Sequence, residues 1–361
     1  MTPTIHFDCR YIRVDHHDGI SRFSAGLFSA LSRLTGVVAI ISDKKQLDHL
    51  PAGTEWVMLN DPTHWSEPFA SLKLNKLGAE VVYSPMQTIG SFGRKFKLIL
   101  TLHDLIYYSH PAPPPSMPLA VRIGWRLFHL TYVPQRLLLN AADAVVTVSQ
   151  TSARLMRLHR LTHKPIHVVY NAADSDDGSG EQHAPKSRPS GPQRLVYMGS
   201  FMDYKNVQTL IKGMGSLADY ELHLLSRITP ARRAQLESIA SQKGGALVFH
   251  NGVSEAEYHE ILDGAVALVH ASMDEGFGIP LVEAMCRGVP IVVSDIEIFH
   301  EIGGDAARYF NPLSGEAFAE KVLYLEHQDA WLAASEAGLA QAAKFSWETS
   351  AEALLEAINT L

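Results

Sequence analysis

The sequence predicts an α/β protein built from two doubly wound, Rossmann-like domains that face each other across a cleft. The chain has 361 residues, which is too long for one ordinary hydrophobic core. In both halves, short apolar runs alternate with longer amphipathic runs, a pattern typical of βαβ units around a mostly parallel sheet. A polar stretch at residues 171–193 interrupts this pattern and is typical of a linker.

The first predicted domain covers residues 1–170. Its short runs of apolar and β-branched residues predict seven buried strands. They are residues 5–8, 37–41, 55–59, 81–84, 98–102, 144–148 and 166–170. Amphipathic patterns between them predict helices at 21–34, 117–140 and 151–161.

The second predicted domain covers residues 194–344 and repeats the same alternation. Its predicted strands are residues 194–198, 221–225, 247–250, 266–270, 290–293 and 308–310. Its predicted helices are residues 207–217, 230–243, 255–263 and 280–286. From about residue 317 the pattern is helical to the end of the chain. Parallel sheets bind ligands beyond the carboxyl ends of their strands, so the loops after the strands are the expected sites.

Composition is that of a globular protein, with 46% hydrophobic and 19% charged residues. The two cysteines, Cys9 and Cys286, lie far apart and predict neither a disulfide framework nor a cysteine metal site. No cluster of side chains has metal-ligand spacing, so we expect no metal. The N-terminus does not resemble a signal peptide, and no apolar run is long enough to span a bilayer. We therefore expect a cytoplasmic protein that is either free or peripheral at the inner membrane face.

Charge is unevenly distributed between the halves. Residues 1–170 carry 18 Lys/Arg and 11 Asp/Glu, whereas the remainder carries 13 and 27. This favours an anionic partner for the first half, although two unrelated surfaces would give the same totals. Arginines and aromatic residues interleave along residues 122–136, which fits an anionic membrane surface or a core helix with snorkelling arginines. We expect no nucleic-acid partner.

The most informative segment is residues 274–285 (DEGFGIPLVEAM). It follows a buried strand, and Gly276 and Gly278 predict a bend with exposed backbone amides. Pro280 suits the first turn of a helix, whose N-terminus favours anions such as phosphate. Glu275 and Glu283 flank this bend, and carboxylates accept hydrogen bonds from sugar hydroxyls. The segment therefore predicts a site for a nucleotide sugar.

Other polar residues and glycines follow predicted strands. In the first half these are Gly19, Arg22, His103 and Asp104. Gly19 would allow a diphosphate to approach the backbone and His103 would meet a sugar hydroxyl. Each also has an ordinary interpretation, as a turn glycine, a solvated arginine, a satisfied polar side chain or a helix cap.

Two further strand ends in the second half carry candidates. Gly199 ends one strand, and Lys205 begins a helix where it would neutralise a departing diphosphate. Gly252 and Val253 end another strand, and their amides could meet a nucleobase edge. Turn chemistry explains the second pair equally well.

These segments resemble glycosyltransferase family 4, retaining enzymes of the GT-B fold. The resemblance is strongest across residues 254–312, where 275–283 looks like the family's two-glutamate motif, and 288–295 and 304–307 continue it. Residues 19–22, 103–104 and 199–206 match more weakly. Residues 345–361 resemble the family's terminal helix, which returns to the N-terminal domain.

The resemblance implies roles by position. Glu283 would hold the donor ribose, Glu275 the donor sugar and Lys205 the leaving diphosphate, while His103 would face the transferred sugar. The implied catalytic residues are thus His103, Glu275 and Lys205. The strand-end candidates and the resemblance together give the predicted donor-binding residues, which are Gly19, Gly199, Ser200, Lys205, Gly252, Val253, Glu275, Gly276, Phe277, Gly278, Ile279, Leu281 and Glu283. Enzymes of this family usually need no metal.

One departure from the family pattern concerns charge. The family often has an arginine directly after the glycine or before the lysine, where this chain has Ser200 and Tyr204. Arg22 and Arg227 are candidates to replace that cation.

The resemblance implies a retaining hexosyltransferase that uses a nucleoside diphosphate sugar and a glycan or lipid-linked acceptor in cell-envelope polysaccharide or glycolipid synthesis. GDP-mannose is the first choice of donor and a UDP-sugar the second. A nucleotide-sugar epimerase of the same fold and a non-catalytic nucleotide-sugar-binding protein are the alternatives. The oligomeric state is not set by these patterns.

Overall fold

The computed structural model describes residues 3–14, 19–113, 118–173 and 187–361. The chain forms two compact units. The first unit comprises Met1–Ala172 and Ser346–Leu361, and the second comprises Ala173–Phe345. Most of the predicted linker, residues 174–186, lies outside the described residues.

The first unit contains a seven-stranded parallel sheet in the order β3-β2-β1-β4-β5-β6-β7. Its strands are β1 (Ile5–Asp8), β2 (Val37–Ile41), β3 (Trp56–Met58), β4 (Val81–Ser84), β5 (Lys97–Thr101), β6 (Ala144–Thr147) and β7 (Ile166–Val168). Its helices before residue 172 are α1 (Gly19–Leu34), α2 (Ala70–Lys76), α3 (Ile106–Ser109), α4 (Leu119–His129), α5 (Val133–Asn140) and α6 (Gln150–Leu158). The strand order reverses between β1 and β4, which makes their carboxyl ends a topological switch point.

The second unit contains a six-stranded parallel sheet in the order β10-β9-β8-β11-β12-β13. Its strands are β8 (Gln193–Tyr197), β9 (Tyr220–Leu224), β10 (Ala246–Phe249), β11 (Ala267–His270), β12 (Ile291–Ser294) and β13 (Arg308–Phe310). Its helices are α7 (Val207–Gly213), α8 (Pro230–Glu237), α9 (Glu255–Asp263), α10 (Ile279–Cys286), α11 (Glu297–Gly303), α12 (Gly315–Tyr324) and α13 (Gln328–Ala342). The order reverses between β8 and β11. The prediction of two doubly wound domains is confirmed.

Several predicted helices end differently in the structure, and two of them differ most. The helix predicted at 117–140 is split into α4 and α5, because Pro134 lacks an N–H and occupies the first turn of α5. The helix predicted at 230–243 ends at Glu237. Beyond the helix, a Cβ on Gly244 would lie 2.6 Å from the Met214 carbonyl oxygen, so the close approach of the two backbones there requires glycine.

The last helix, α14 (Trp347–Asn359), packs on α1 within the first unit. Ser346 caps it by accepting a hydrogen bond from the Thr349 amide. A Cβ on Gly26 would lie 2.3 Å from the Trp347 indole, so the close approach of α1 and α14 depends on glycine at that position. Ser350 Oγ donates to the Tyr170 carbonyl at 2.7 Å, which ties α14 to the chain just beyond β7.

A buried ionic network lies at the carboxyl end of β1. The Arg10 guanidinium donates from Nε and Nη2 to Asp8, at 2.8 and 2.9 Å. It also makes two hydrogen bonds to the Glu67 carboxylate, both 2.8 Å, and one to the Asn60 carbonyl. The Arg10 and Asp8 side chains are 0% exposed. Because each buried charge has a hydrogen-bonded partner, the network fixes the first turn after β1.

Candidate active site

The sequence-predicted residues of the second unit gather at its switch point, between β8 and β11. Gly199 and Ser200 follow β8, and a single 3-10 turn, Asp203–Lys205, leads into α7. Residues 271–278 follow β11 and lead into α10. The carboxyl ends of neighbouring parallel strands lie at one edge of a sheet, which brings these two loops together although 70 residues separate them in sequence.

An ion pair joins the two loops. Lys205 Nζ lies 2.5 Å from Glu275 Oε1, and their side chains are only 14% and 9% exposed. Ser272 Oγ donates to the same oxygen at 2.8 Å. Burial by itself would raise the pKa of Glu275, but Lys205, His270 and these hydrogen bonds outweigh it and lower the pKa below its usual value. The Glu275 carboxylate is therefore ionised at neutral pH and held in one orientation.

Asn206 fixes the geometry around this ion pair. Its backbone is left-handed, with φ of 51°, a conformation that asparagine tolerates better than most residues. Its side-chain amide donates to the carbonyls of Ala271 and Pro312, at 3.1 and 2.7 Å. Beside it, the Met273 amide donates to the Tyr204 carbonyl at 2.7 Å. These hydrogen bonds join the loop that carries Lys205 to the loop that carries Glu275.

The bend before α10 presents backbone donors. Gly278 has φ of 102° and caps the helix N-terminus, and a Cβ there would lie 3.2 Å from the Phe299 ring. Among the described residues, no acceptor is recorded for the amides of Gly276, Gly278 and Ile279. Leu281 differs from its predicted role, because its amide donates to the Gly278 carbonyl at 2.9 Å. Amides without an internal acceptor at a helix N-terminus suit a phosphate group.

Glu283 lies one turn inside α10 and is buried. The Tyr258 hydroxyl, from α9, donates to Glu283 Oε2 at 2.8 Å. Phe277 is also buried, and its ring meets Phe345 edge-on at 5.6 Å. Glu283 and the preceding bend are thus held by packing from other elements. A fixed carboxylate of this kind can accept hydrogen bonds from adjacent sugar hydroxyls.

The end of β8 lies against a buried histidine. A Cβ on Gly199 would lie 3.0 Å from the Tyr197 hydroxyl and 3.4 Å from the His270 ring, so a side chain would have little room there. The Tyr197 hydroxyl donates to the Ser200 carbonyl at 2.6 Å. Burial lowers the pKa of His270 to about 4, so this ring is neutral at physiological pH. Glycine at 199 therefore allows the backbone after β8 to lie close to the Tyr197 and His270 side chains.

The predicted nucleobase loop follows β10. Gly252 has φ of 103°, and a Cβ on it would lie 3.0 Å from Cγ of Arg227. The Gly252 amide donates to the Leu225 carbonyl at 2.8 Å, which leaves Val253 as the nearer candidate for a base contact through its backbone. Next to it, Ser254 and Glu257 form the reciprocal capping box of α9. Arg227 therefore packs against the predicted base loop.

Arg232, on α8, supplies positive charge beside the loop that follows β8. Its side chain is 16% exposed, and Nη2 lies 3.1 Å from Asp203 Oδ1. Neither that nitrogen nor Nε forms a hydrogen bond of normal geometry. Burial has the largest effect on the pKa of the Tyr197 phenol and raises it. Glu275 and Tyr204 raise this pKa further, whereas Arg232 lowers it, so these groups lie close enough to interact electrostatically. The sequence gives no local sign of the position of Arg232, because α8 consists mostly of exposed residues whose neighbours in the fold are distant in the chain.

The predicted residues of the first unit lie at the carboxyl edge of its own sheet. Gly19 is the first residue of α1 and Arg22 lies in its first turn, half-buried. His103 Nε2 lies 2.8 Å from the Pro85 carbonyl oxygen, and its ring meets Phe23 edge-on at 5.2 Å. The Asp104 carboxylate accepts a hydrogen bond from the Ile106 amide at 3.0 Å, so it caps the turn into α3. This hydrogen bond fits the helix-cap interpretation of Asp104, and a role in the site stays a prediction.

Across the residues that the structure describes, no group of three or more His, Cys, Asp or Glu side chains is arranged to hold a metal ion. Metal independence stays a prediction.

Two family models match the chain. The model of the glycosyl transferases group 1 matches residues 179–345, and that of glycosyltransferase family 4 matches residues 19–177. Each match falls largely on one of the two units. Together they cover most of the chain.

Relatives with assigned activities include two enzymes of O-antigen synthesis. The O-antigen chain mannosyltransferase RfbU of Salmonella typhimurium is 25% identical over 323 residues, which cover 85% of this chain and 87% of the relative. The O-antigen chain mannosyltransferase B of Escherichia coli is 26% identical over 278 residues, covering 73% and 71%.

Solved structures show the same fold. Sucrose-phosphate synthase from Thermosynechococcus elongatus superposes with a TM-score of 0.77 at 16% identity, covering 99% of this chain and 98% of that chain. WaaG, a glycosyltransferase involved in lipopolysaccharide biosynthesis, superposes with a TM-score of 0.69 at 17% identity, covering 98% and 99%.

Proposed function

The chain belongs to the glycosyltransferases of family 4, also described as group 1, and we propose that it transfers a hexose from a nucleoside diphosphate sugar to a glycan or lipid-linked acceptor in cell-envelope polysaccharide synthesis. The observation that carries the proposal is the Lys205–Glu275 ion pair at the switch point of the second unit. Diphosphate, ribose and hexose each need a different partner. The site offers a cation and backbone amides for the diphosphate, and two fixed carboxylates for the ribose and the hexose.

The residues divide these tasks by position. Lys205 and the amides of Gly276, Gly278 and Ile279 bind the diphosphate, where positive charge and N–H groups favour anions. Glu283 accepts hydrogen bonds from the ribose, and Glu275 accepts one from the hexose. Both carboxylates are oriented before the donor arrives, so donor binding costs little further ordering.

In the proposed reaction the acceptor oxygen bonds to the anomeric carbon on the face from which the diphosphate departs. The bond between that carbon and the diphosphate oxygen breaks, and the departing oxygen takes the proton of the acceptor hydroxyl. The anomeric configuration is thereby retained. Lys205 and the amides stabilise the negative charge that develops on the leaving group. Lys205 and Ser272 hold the Glu275 carboxylate, which suits it to positioning the sugar rather than attacking it.

GDP-mannose is the proposed donor. Its support comes from the relatives, because two that match 85% and 73% of this chain are mannosyltransferases of O-antigen chains. A UDP-sugar is the second choice, since another structural neighbour, HepE of Anabaena, was solved with UDP-glucose at a TM-score of 0.70 and 14% identity.

A thermal-shift panel of GDP, UDP, GDP-mannose and UDP-glucose tests the donor. A nucleotide at about 100 times its Kd stabilises the folded protein by ~2.7 kcal/mol, so we expect GDP and GDP-mannose to raise Tm by several degrees. We also expect slow hydrolysis of GDP-mannose to mannose and GDP, at the same rate in excess EDTA. If only UDP and UDP-glucose raise Tm, the donor is a UDP-sugar rather than GDP-mannose. Release of an altered sugar nucleotide would indicate an epimerase, and binding without any turnover would indicate a non-catalytic protein.

Arg232 is proposed as the cation that replaces the family arginine absent at Ser200. We expect Arg232→Gln to weaken GDP binding about tenfold, the size of one charge-assisted hydrogen bond, and to leave guanosine binding unchanged. Arg233→Gln is the matched control, because Arg233 is the next residue of α8, is 49% exposed and pairs with Glu237. Equal GDP affinities of the two variants, measured by calorimetry, would remove Arg232 from the diphosphate site.

A further inference from the structure

The loop after β3 carries a tryptophan that lies almost entirely in water. Trp65 is 80% exposed, the largest fraction among the large hydrophobic side chains that the structure describes. The ring of the preceding residue, His64, lies beside it, with the ring centroids 5.5 Å apart. Tryptophan has a large apolar area, and burying that area usually stabilises a fold or an interface. Packing within the first unit therefore does not explain why tryptophan occupies this position.

Hydrogen bonds hold residues 61–67, here called the tryptophan turn, in one shape. At its start, Asp61 Oδ1 accepts hydrogen bonds from the Thr63 amide and hydroxyl, at 2.7 and 2.5 Å. At its end, the buried Glu67 carboxylate accepts two hydrogen bonds from the Arg10 guanidinium. The Trp65 ring is thus carried by a preformed turn, so a ligand that binds it orders little additional backbone.

The tryptophan turn also contains a hydrogen-bond donor and an acceptor. His64 Nδ1 accepts a hydrogen bond from the Ser66 amide at 3.3 Å and lies 2.8 Å from the Ser66 hydroxyl. In the neutral ring the proton then lies on Nε2, which can donate to a ligand hydroxyl. The hydrogen bonds from Thr63 lower the pKa of Asp61, so this carboxyl group is ionised at neutral pH and can accept. A donor, an acceptor and the Trp65 ring therefore lie within one turn.

The tryptophan turn lies at the same edge of the first sheet as His103. The loop that follows β4 contacts both. Its Pro85 carbonyl oxygen lies 2.8 Å from His103 Nε2, and its Gly90 amide donates to Glu67 Oε1 at 3.4 Å. A Cβ on Gly90 would lie 1.7 Å from the Glu67 carbonyl oxygen, so the backbones of the two loops touch there. One loop therefore links the predicted sugar-facing residue to the tryptophan turn.

We propose that the tryptophan turn binds a sugar of the acceptor glycan, away from the hydroxyl that reacts. A pyranose ring has C–H bonds on one face and hydroxyl groups around its rim. The C–H face fits against the Trp65 indole, where both surfaces leave water. The hydroxyl groups fit His64 and Asp61, and such a combination of an aromatic surface with a few polar groups is typical of small-molecule sites. The identity of the ligand as a glycan rests on the proposed function.

The spacing along the sheet suits a chain of sugars. The tryptophan turn follows β3 and His103 follows β5, and these strands are four strand spacings apart in the sheet, ~19 Å. A ligand that lies along the edge between them has the length of several sugars rather than one. The tryptophan turn would therefore favour an acceptor that is already a short glycan over a single sugar.

Calorimetric binding of neutral oligosaccharides to the full chain, without donor, tests this proposal. The probes are the di-, tri- and tetrasaccharides of α-linked mannose, glucose and galactose. We expect the wild-type protein to bind at least one of them, and Trp65→Ala to weaken that binding about tenfold, as for truncation of a tryptophan at the centre of an interface. Trp65→Phe keeps an aromatic face and should lose less. The Trp65 side chain is exposed, so both variants should melt at the wild-type temperature. No helix in the parts of the chain that the structure describes is long and apolar enough to cross a membrane.

Trp56→Ala is the matched control. Trp56 is 40% exposed and is the first residue of β3, at the opposite end of that strand from the tryptophan turn. This variant should bind oligosaccharides like the wild type. Equal affinities of Trp65→Ala and the wild type would overturn the proposal, as would the absence of binding by every oligosaccharide of the panel. A dimer in sugar-free solution that Trp65→Ala dissociates would also overturn it and assign the ring to a second copy.

Donor hydrolysis separates this proposal from the proposed function. Water replaces the glycan in that reaction, so Trp65→Ala should hydrolyse the donor at the wild-type rate. If the wild type binds an oligosaccharide through Trp65 but turns over no donor, the tryptophan turn is a sugar site and the proposed transfer is wrong. If the donor is hydrolysed and Trp65→Ala binds every oligosaccharide like the wild type, only the proposal for the tryptophan turn fails.

Discussion

Replacing Lys205 by Ala should lower kcat/KM by about 100- to 1000-fold, the usual consequence of removing one charge-stabilising group from a transfer site. The expected cause is the loss of the cation next to the leaving diphosphate. Glu275→Gln should cause a loss of similar size, because a neutral amide accepts weaker hydrogen bonds than a carboxylate and forms no ion pair with the Lys205 ammonium group. Initial-rate measurements of GDP release from GDP-mannose at several donor concentrations supply kcat/KM.

The two variants differ in what they leave behind. Without Lys205, burial acts on Glu275 with less opposition, so the pKa of this carboxyl group should rise from its lowered value. Glu275→Gln retains the shape of the side chain and its hydrogen bonds with Ser272 and Lys205, so it tests the charge with the least risk to folding. Loss of activity in both variants, with unchanged circular dichroism, would assign the effect to chemistry.

Lys212→Ala is the control for Lys205→Ala. Lys212 is an exposed residue in the last turn of α7, the helix that begins just after Lys205. The same charge is removed close by in sequence but away from Glu275, and we expect near wild-type turnover. Wild-type turnover in Lys205→Ala itself would refute its proposed role, whatever the donor proves to be.

The residues that could be predicted from sequence lie within one short segment whose pattern shows both the local structure and the functional groups. Glu275 and Glu283 lie on either side of a strand–glycine–helix junction, and the period of the apolar residues placed that junction correctly. Leu281 shows where the pattern stops, because hydrogen bonding inside the first turn of α10 takes its amide. Periodicity locates a helix N-terminus but does not show which of its amides remain available.

The supporting residues were missed because their contacts are distant in sequence. Tyr258 is 25 residues from Glu283, and Asn206 is 65 residues from Ala271 and 106 from Pro312. No pattern within one segment reports such pairs. Asn206 had one weak local signal, since asparagine adopts the left-handed conformation that the structure shows more readily than most residues do. Arg10 lies two residues after one partner, Asp8, but its other partner, Glu67, is 57 residues away, so no single segment shows the whole network.

Arg10→Met should lower the free energy of unfolding of the first unit by about 3–5 kcal/mol, the cost of leaving buried charges without their partner. Asp8 and Glu67 would then be two buried carboxylates that repel each other. Urea titration followed by tryptophan fluorescence measures the effect. The signal reports mainly on the first unit, which contains four of the five tryptophans, Trp56, Trp65, Trp125 and Trp347.

Two further variants separate the buried charges from the arginine side chain itself. Arg33→Met breaks an ion pair with Glu348 in which both side chains are at least 60% exposed, so its cost should be under ~1 kcal/mol. Adding Asp8→Asn and Glu67→Gln to Arg10→Met should restore part of the lost stability, because neutral amides are less costly to bury and can still hydrogen-bond to Ser84 and Asn60. If Arg10→Met costs no more than Arg33→Met, the network does not hold the end of β1, and the turn towards α1 is fixed by packing alone.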